Sequence, residues 1–246
     1  MLYFIFNWFV KITGFIPVLI AMPFKTHYSG PKAQSRRIKG KAIVVSNHRT
    51  VWDFGLMIFL FWTRSLRCVV GEIMYQKNPF MTLFLRLIGG IKVERYSHDF
   101  TFIGKCKKIL DKGGVVEIYP EAMINQSGDG GLLEFKPSVV YLALESGAPI
   151  IPVYNAVKYF SFKRGDVVIG EPIYLRDLYD DNLSEKDNIA NMTDMLRNKI
   201  LELKDELEEK MREVLFHEFT HHVESLAGER GLEIKDEKQM REYLNR

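Results

Sequence analysis

The sequence contains few of the residues that hold small extracellular folds together or that bind metals through thiols. Its 246 residues include only two cysteines, Cys68 and Cys106, which lie far apart and outside any C-x-x-C motif. This spacing indicates neither a disulfide framework nor a thiol-ligated zinc site. We therefore expect the chain to face a reducing compartment.

The sequence also lacks a strong excess of either charge and a serine nucleophile motif. Lys and Arg exceed Asp and Glu by only three residues, which is too small an excess for a protein that coats nucleic acid. No Gly-x-Ser-x-Gly motif occurs, so nothing in the sequence indicates a serine acyl-enzyme. We expect no nucleic-acid partner.

The first 24 residues are rich in large apolar and aromatic side chains, and Lys11 is the only charged residue among them. A spanning helix needs about 20 apolar residues, and a lysine near its centre costs about 2.5–3.5 kcal/mol on insertion scales. Lys11, Pro17 and Pro23 therefore favour insertion into one leaflet of a bilayer. A core helix of the folded domain is the alternative, and a cleaved signal peptide is disfavoured because the stretch lacks a basic start.

Basic residues cluster directly after this apolar segment: Lys25, Lys32, Arg36, Arg37, Lys39 and Lys41. Such a cluster is typical of the cytoplasmic side of a membrane, where the leaflet is anionic. We therefore predict that residues 1–38 form a membrane-associated helical segment with a basic juxtamembrane stretch. The protein is expected to be peripheral or monotopic on the cytoplasmic side of the cell membrane, with the lipid bilayer as a partner.

Short β-branched runs alternate with helical patterns over residues 39–180. The predicted strands cover residues 42–46, 67–70, 91–95, 115–119, 150–154 and 166–169, and the predicted helices cover residues 79–88, 100–110 and 137–145. This alternation predicts an α/β fold with a mixed, mostly parallel sheet flanked by helices.

The character of the chain changes at Ser184, where Ser184 and Asp187 form a capping signal for a long amphipathic helix. Its apolar residues step by threes and fours: Leu196, Ile200, Leu203, Leu207, Met211 and Val214. We assign residues 181–246 to a C-terminal helical extension that docks on the domain or pairs with another chain.

A histidine and an aspartate follow the first predicted strand of this α/β region. His48 comes directly after Asn47, and four residues separate it from Asp53. A helical turn would bring Asp53 back to the imidazole, where its carboxylate fixes the tautomer and leaves Nε2 free to take a proton from an alcohol. This pattern indicates general-base chemistry. The apolar run at residues 54–62 lines a cavity beside the histidine or packs in the core.

Four blocks in a fixed order carry a family resemblance. They are Asn47-His48 with Asp53, Gly90–Arg95, Tyr119–Ile124 followed by Phe135-Lys136, and Pro149–Val153. With these blocks the chain resembles the glycerolipid acyltransferase family, whose best known members are the 1-acyl-glycerol-3-phosphate acyltransferases. The resemblance covers roughly residues 39–174 and implies that residues 39–180 form an acyltransferase domain.

The resemblance implies a mechanism and a set of site residues. His48, oriented by Asp53, would deprotonate the hydroxyl of a lysolipid acceptor as it attacks the thioester of acyl carrier protein or coenzyme A. The implied acceptor is 1-acyl-sn-glycerol-3-phosphate, which would give phosphatidic acid in phospholipid biosynthesis. The implied substrate-binding residues are Asn47, Lys92, Arg95, Glu121 and Lys136, with Arg95 on the acceptor's phosphate and Glu121 positioning the acceptor or the dyad. Beyond the acyl donor, no cofactor and no metal are expected.

The third block departs from the family pattern. Ala122, Met123 and Ile124 stand where the family has glycine, threonine and arginine. Met and Ile offer no hydrogen bonds to an anion, although Arg95, Lys92 and Lys136 could replace the missing cation. A lysolipid without phosphate, or a glycolipid, is therefore an alternative acceptor.

Two other functions compete with this interpretation. Residues 217–221 match the H-E-x-x-H zinc motif through His217, Glu218 and His221. They lie 25 residues from the end of the sequence, with no following domain to form a substrate cleft, and a solvated helical turn also explains them. A catalytically inactive lipid-binding protein is the other alternative, but the intact His48 and Asp53 disfavour it.

Overall fold

The computed structural model describes residues 2–94, 101–125 and 131–229; for residue 218 and residues 221–229 only the backbone is described. The chain divides into two compact units, Met1–Leu203 and Lys204–Arg246. Arg95, the predicted phosphate ligand, lies outside the described residues, as do the side chains of Glu218 and His221 of the zinc motif.

Seven strands form one sheet in the order β1-β7-β6-β2-β5-β3-β4. Their bounds are β1 (Phe24–Tyr28), β2 (Ala42–Ser46), β3 (Leu66–Gly71), β4 (Ile91–Val93), β5 (Val115–Ile118), β6 (Ile150–Asn155) and β7 (Gly165–Ile169). All neighbouring strands run parallel except β6 and β7, which are antiparallel. The predicted mixed, mostly parallel sheet is confirmed.

The helices are α1 (Leu2–Ala21), α2 (Asp53–Leu60), α3 (Glu72–Gln76), α4 (Pro79–Leu87), α5 (Thr101–Asp111), α6 (Ser138–Ser146) and α7 (Glu185–Glu229), with a 3₁₀ turn at Leu175–Leu178. The start of α7 agrees with the predicted capping signal, because the Ser184 hydroxyl accepts a hydrogen bond from the Asp187 backbone N–H at 3.1 Å. Its apolar stripe is buried at Leu203 but exposed at Met211 and Val214.

The centre of the sheet is an apolar layer that positions α2. β2 is buried at every residue, as expected for a β-branched strand between two parallel neighbours. Ala42 and Val44 point to the face covered by α2, where they join one cluster with Leu56 and Leu60. This packing fixes the start of α2 beside the end of β2, which is where the predicted dyad lies.

Strand β1 is not predicted from the sequence, and it lies inside the segment 1–38 assigned to the membrane. It pairs in parallel with β7 at one edge of the sheet. Polar residues interrupt its apolar pattern, and one of them, His27, contacts Asp166 at 2.7 Å between Nε2 and Oδ1. The sheet therefore begins before residue 39, and the three-part division of the chain stays a proposal.

Helix α1 reverses the pattern of a normal amphipathic helix. Its fully buried residues are the polar Asn7 and Lys11, whereas its outer face exposes Leu2, Phe4, Ile5, Phe9, Ile12, Phe15, Ile16, Leu19 and Ile20. Within the part of the chain that the structure describes, it is the one helix long and apolar enough to cross a membrane. Lys11 donates to the carbonyl oxygens of Trp62 and Arg64 at 2.7 and 2.6 Å, just beyond the end of α2.

Candidate active site

The carboxyl ends of three neighbouring parallel strands bring the site together. His48 follows β2, Glu121 follows β5 and Asn155 ends β6. Because β2 pairs in parallel with both β5 and β6, these ends meet at one edge of the sheet. This edge is the usual place for a binding site in an open α/β sheet.

The predicted dyad is formed in the structure. The distance between His48 Nδ1 and Asp53 Oδ2 is 2.8 Å, and Asp53 is fully buried as the first residue of α2. The same carboxylate oxygen accepts the backbone N–H groups of Arg49 and Thr50 at 2.7 and 2.8 Å. A carboxylate at a helix N-terminus is stabilised by such donors, so Asp53 is a fixed acceptor for the imidazole.

Two residues missed from the sequence hold the other oxygen of Asp53. The Tyr159 hydroxyl donates to Oδ1 at 2.6 Å and the Asn155 amide donates to it at 3.1 Å. Burial raises the pKa of Tyr159, and the charge of Asp53 raises it further, which keeps the hydroxyl protonated as a donor. No local signal could have found this contact, because the two partners are 106 positions apart in the sequence.

Asn47, predicted to bind substrate, is buried and engaged with the backbone. Its Oδ1 accepts the N–H of Asn155 at 2.8 Å and its Nδ2 donates to the Asn155 carbonyl at 3.0 Å. These two bonds fasten the end of β2 to the end of β6. The placement favours a positioning role for Asn47 over contact with a substrate.

Glu121 is also buried and bridges two segments of backbone. Its Oε1 accepts the N–H of His48 and its Oε2 accepts the N–H of Leu133, each at 2.8 Å. Burial raises the pKa of Glu121, and the two backbone donors act against that shift. Of the two predicted roles, positioning of the dyad is the one that these contacts support.

A buried acid lies behind the histidine and was not predicted. Tyr119 stacks on the His48 ring, and its hydroxyl donates to the carboxylate of Glu117. Burial of Glu117 raises its pKa to about 8, and burial also raises the pKa of Tyr119. The signal in the sequence was a single acid inside the apolar run of β5, which is unusual for a buried strand.

His48 opens onto a cavity of about 440 Å³ with mainly apolar walls. The walls include Val51, Phe54, Met74, Met81, Phe84 and Phe102, so Phe54 lines the cavity while other residues of its apolar run pack in the core. Lys136 also lines the cavity, as does Lys77, which was not predicted. Lys92 lies on the surface instead, with Nζ 3.2 Å from Glu94 Oε1.

The altered third block forms part of the cavity. Ala122 has a φ of 57°, a left-handed conformation that suits the glycine of the family pattern. Ala122 and Ile124 line the cavity, whereas Met123 is 53% exposed. The part of the wall that would carry the arginine of the family pattern is therefore apolar here, at Ile124.

The geometry leaves one ring nitrogen of His48 for proton transfer, because Nδ1 is bound to Asp53. The model of the family described as Acyltransferase matches residues 25–156 of the chain, which is more than half of its length. The chain belongs to the Acyltransferase family. The match contains the dyad, Glu121 and the described cations of the cavity.

Curated members of the family are similar over part of their length. The 1-acyl-sn-glycerol-3-phosphate acyltransferase of Haemophilus influenzae is 25% identical over 185 residues, 71% of this chain and 74% of that protein. The human 1-acyl-sn-glycerol-3-phosphate acyltransferase beta is 28% identical over 136 residues, 52% of this chain. The matched region spans about half of the human relative, 48% of its length.

A solved structure shares the fold. The 1-acyl-sn-glycerophosphate acyltransferase PlsC from Thermotoga maritima aligns with a TM-score of 0.52 at 19% identity, covering 74% of this chain and 73% of that one. This likeness confirms the predicted fold class of the family.

Among the described residues, no group of three or more His, Cys, Asp or Glu side chains could hold a metal ion. Of the zinc motif's potential ligands, only the His217 side chain is described, on an exposed part of α7. Cys68 and Cys106 are buried free thiols.

Proposed function

We propose that this protein transfers a fatty acyl group from acyl carrier protein or coenzyme A to the hydroxyl of a lysolipid. The acceptor is 1-acyl-sn-glycerol-3-phosphate, so the product is phosphatidic acid for phospholipid biosynthesis. The observation that carries this proposal is the His48–Asp53 pair at the wall of a mainly apolar cavity, in a chain of the Acyltransferase family.

The dyad supplies the proton transfers. His48 Nε2 takes the proton of the acceptor hydroxyl while its oxygen attacks the thioester carbonyl, and Asp53 stabilises the imidazolium that forms. The tetrahedral intermediate then expels the thiolate, which receives the proton from His48. The products are an ester and a free thiol, and no acyl-enzyme is needed because a thioester is already activated.

The cavity suits an acyl chain next to a charged head group. Its apolar walls favour hydrocarbon, since each buried methylene contributes about 0.8 kcal/mol. Lys136 and Lys77 supply positive charge at the same cavity for a phosphate. We propose that Arg95 also binds the phosphate, as the family resemblance implies.

A second candidate is an acceptor without phosphate, either another lysolipid or a glycolipid. It is favoured by the apolar wall at Ala122 and Ile124, which offers an anion neither charge nor side-chain hydrogen bonds. The dyad chemistry is the same for both acceptors. Only recognition of the head group differs.

The protein is proposed to be monotopic in the cell membrane with its catalytic unit on the cytoplasmic side. α1 contacts the rest of its unit along its whole length: Tyr3 lies under Arg67, Phe6 against Phe84, Lys11 on Trp62 and Val18 against the core. A helix held in this way does not extend away from the catalytic unit. Its exposed apolar face is suited to one leaflet.

The test is acyl transfer by the purified full chain in detergent, from labelled acyl thioesters to lysolipids that differ only in the phosphate. We expect His48→Ala to lose turnover by about 100-fold or more, while His27→Ala, at the far edge strand β1, retains it. A preference for the phosphate-free acceptor supports the second candidate. Lipid binding without acylation of any acceptor overturns both and favours an inactive lipid-binding protein.

A further inference from the structure

The loop between β6 and β7 combines exposed aromatic rings with basic residues. Within residues 158–164, here called the aromatic-basic loop, lie Lys158, Tyr159, Phe160, Phe162, Lys163 and Arg164. Phe162 is 95% exposed and Phe160 is 63% exposed. Large apolar rings left in water at this level indicate a surface that contacts something else.

The charges of the aromatic-basic loop have one sign. Lys158, Lys163 and Arg164 are exposed, and none of them forms a salt bridge to another described residue. The loop contains no acidic residue. Aromatic rings interleaved with Lys and Arg are the composition of segments that lie at an anionic lipid surface.

The loop adjoins the apolar surface of α1. The backbone N–H of Phe160 donates to the carbonyl oxygen of Ala21, the last residue of α1, at 2.5 Å. Phe160 adopts a φ of 55° to do so, a conformation that is unfavourable for a bulky residue and persists only where its surroundings fix it. The exposed rings therefore begin where α1, with its exposed apolar face, ends.

The same loop contacts the dyad. Tyr159 donates to Asp53, as described above, and the Phe160 ring lies edge-on to Trp52 with centroids 5.1 Å apart. Trp52 immediately precedes Asp53 and lines the cavity. One short segment thus joins the exposed rings to the acid that orients His48.

We propose that the aromatic-basic loop docks on anionic lipid head groups and that docking holds Tyr159 on Asp53, so that an anionic bilayer activates the enzyme. Phe160 and Phe162 enter the interface, and the three basic residues contact the head groups. The effect on turnover rests on the proposed function, whereas docking of the loop does not.

Docking is measured on the full chain with a polarity-sensitive dye on Phe162→Cys, which is accessible while Cys68 and Cys106 are buried. We expect a blue shift on vesicles containing phosphatidylglycerol and a smaller shift on pure phosphatidylcholine. Leu178→Cys, 53% exposed on the 3₁₀ turn beside α6, is the control and should not shift. Equal responses at the two positions overturn the proposal.

A charge-reversal variant distinguishes docking by the loop from a general electrostatic attraction between the protein and anionic lipid. Lys158→Glu, Lys163→Glu and Arg164→Glu together should weaken docking by about 100-fold or more. The loss of each basic residue costs roughly 1 kcal/mol, every 1.4 kcal/mol is about tenfold, and the new carboxylates are also repelled by the anionic surface. The matched control reverses Lys105, Lys108 and Lys112, which are exposed on or after α5 and change the net charge equally. If both triple variants lose the dye response alike, the loop has no specific role.

Activation is then measured as the ratio of turnover on anionic vesicles to turnover on neutral vesicles. The wild type and the α5 control should have a ratio above one, and the loop triple variant a ratio near one. Tyr159→Phe removes the hydroxyl that docking is proposed to hold on Asp53, so it should lower kcat mainly on anionic vesicles and bring the ratio near one while leaving the dye response unchanged. Absence of turnover in every protein refutes the proposed function, whereas turnover with the same ratio in both triple variants refutes activation through the loop.

Discussion

The ring of Tyr119 stacks on the imidazole of His48, with centroids 4.3 Å apart and planes inclined by 22°. The hydroxyl of the same residue donates to Glu117, which is fully buried in β5. One side chain therefore packs against the face of the His48 ring and supplies a hydrogen bond to a buried acid. Substitutions at Tyr119 can remove the hydrogen bond alone or the hydrogen bond together with the stack.

Tyr119→Phe keeps the stack and removes the hydrogen bond. We expect it to lower the free energy of unfolding by about 1–3 kcal/mol, because the buried Glu117 loses the hydrogen bond from Tyr119, with little change in kcat. Tyr119→Leu also removes the stack and should lower kcat by roughly 2–10-fold, since an aromatic pair contributes about 0.5–1.5 kcal/mol. Equal kcat in the two variants would refute a role for the stack.

Glu117 should make stability depend on pH. Its pKa is raised from 4.5 to about 8 in the folded protein, so between these values the folded state binds more protons than the unfolded state. The contribution of Glu117 to the free energy of unfolding is therefore fully present below about pH 4.5. It falls by about 1.4 kcal/mol per pH unit as the pH rises to about 8. Glu117→Gln should flatten this part of a melting-temperature profile recorded in detergent. An unchanged slope contradicts the assignment.

Ala122→Gly should stabilise the protein. The left-handed backbone at Ala122 costs a residue with a Cβ about 1–2 kcal/mol, and glycine avoids this cost. Part of the stabilisation is lost again, because glycine makes the unfolded chain more flexible. We expect a net increase of about 0.5–1 kcal/mol in the free energy of unfolding. Ala33→Gly, at a position without positive φ, is the control and should be neutral or destabilising.

Lys11→Met should destabilise the protein although it makes α1 more apolar. The lysine is the donor to the carbonyl oxygens of Trp62 and Arg64 beyond α2, and hydrogen bonds from charged groups contribute about 1.5–3 kcal/mol. We expect a loss of this size in thermal or denaturant unfolding in detergent. Lys105→Met, on the exposed face of α5, should stay within about 0.5 kcal/mol of the wild type. A neutral Lys11→Met would mean that the helix is held by its apolar contacts alone.

Features set by neighbouring residues could be predicted from the sequence. The contact between His48 and Asp53 follows from their spacing at a strand-to-helix junction, and the strand–helix rhythm predicts the sheet. Tyr159 reaches Asp53 only through the packing of β6 beside β2, and Lys77 reaches the cavity only through the placement of α3 and α4. Such contacts depend on tertiary structure and leave no local pattern. A motif also does not tell what each of its residues contacts: Asn47 and Glu121 were predicted to bind substrate, but in the structure both form hydrogen bonds to the backbone.

The arrangement of α1 has a consequence for how this enzyme can be prepared. Through Lys11 the helix supplies hydrogen bonds to the carbonyl groups of Trp62 and Arg64 beyond α2, and the chain that follows the helix places Met22 in the core and β1 beside β7. Cutting the chain before β1 would expose that core and those carbonyl groups to water. The apolar helix is thus an integral part of the first compact unit. To keep the protein in solution without detergent, we expect that polar substitutions on the exposed face of α1 are needed and that its buried face must stay unchanged.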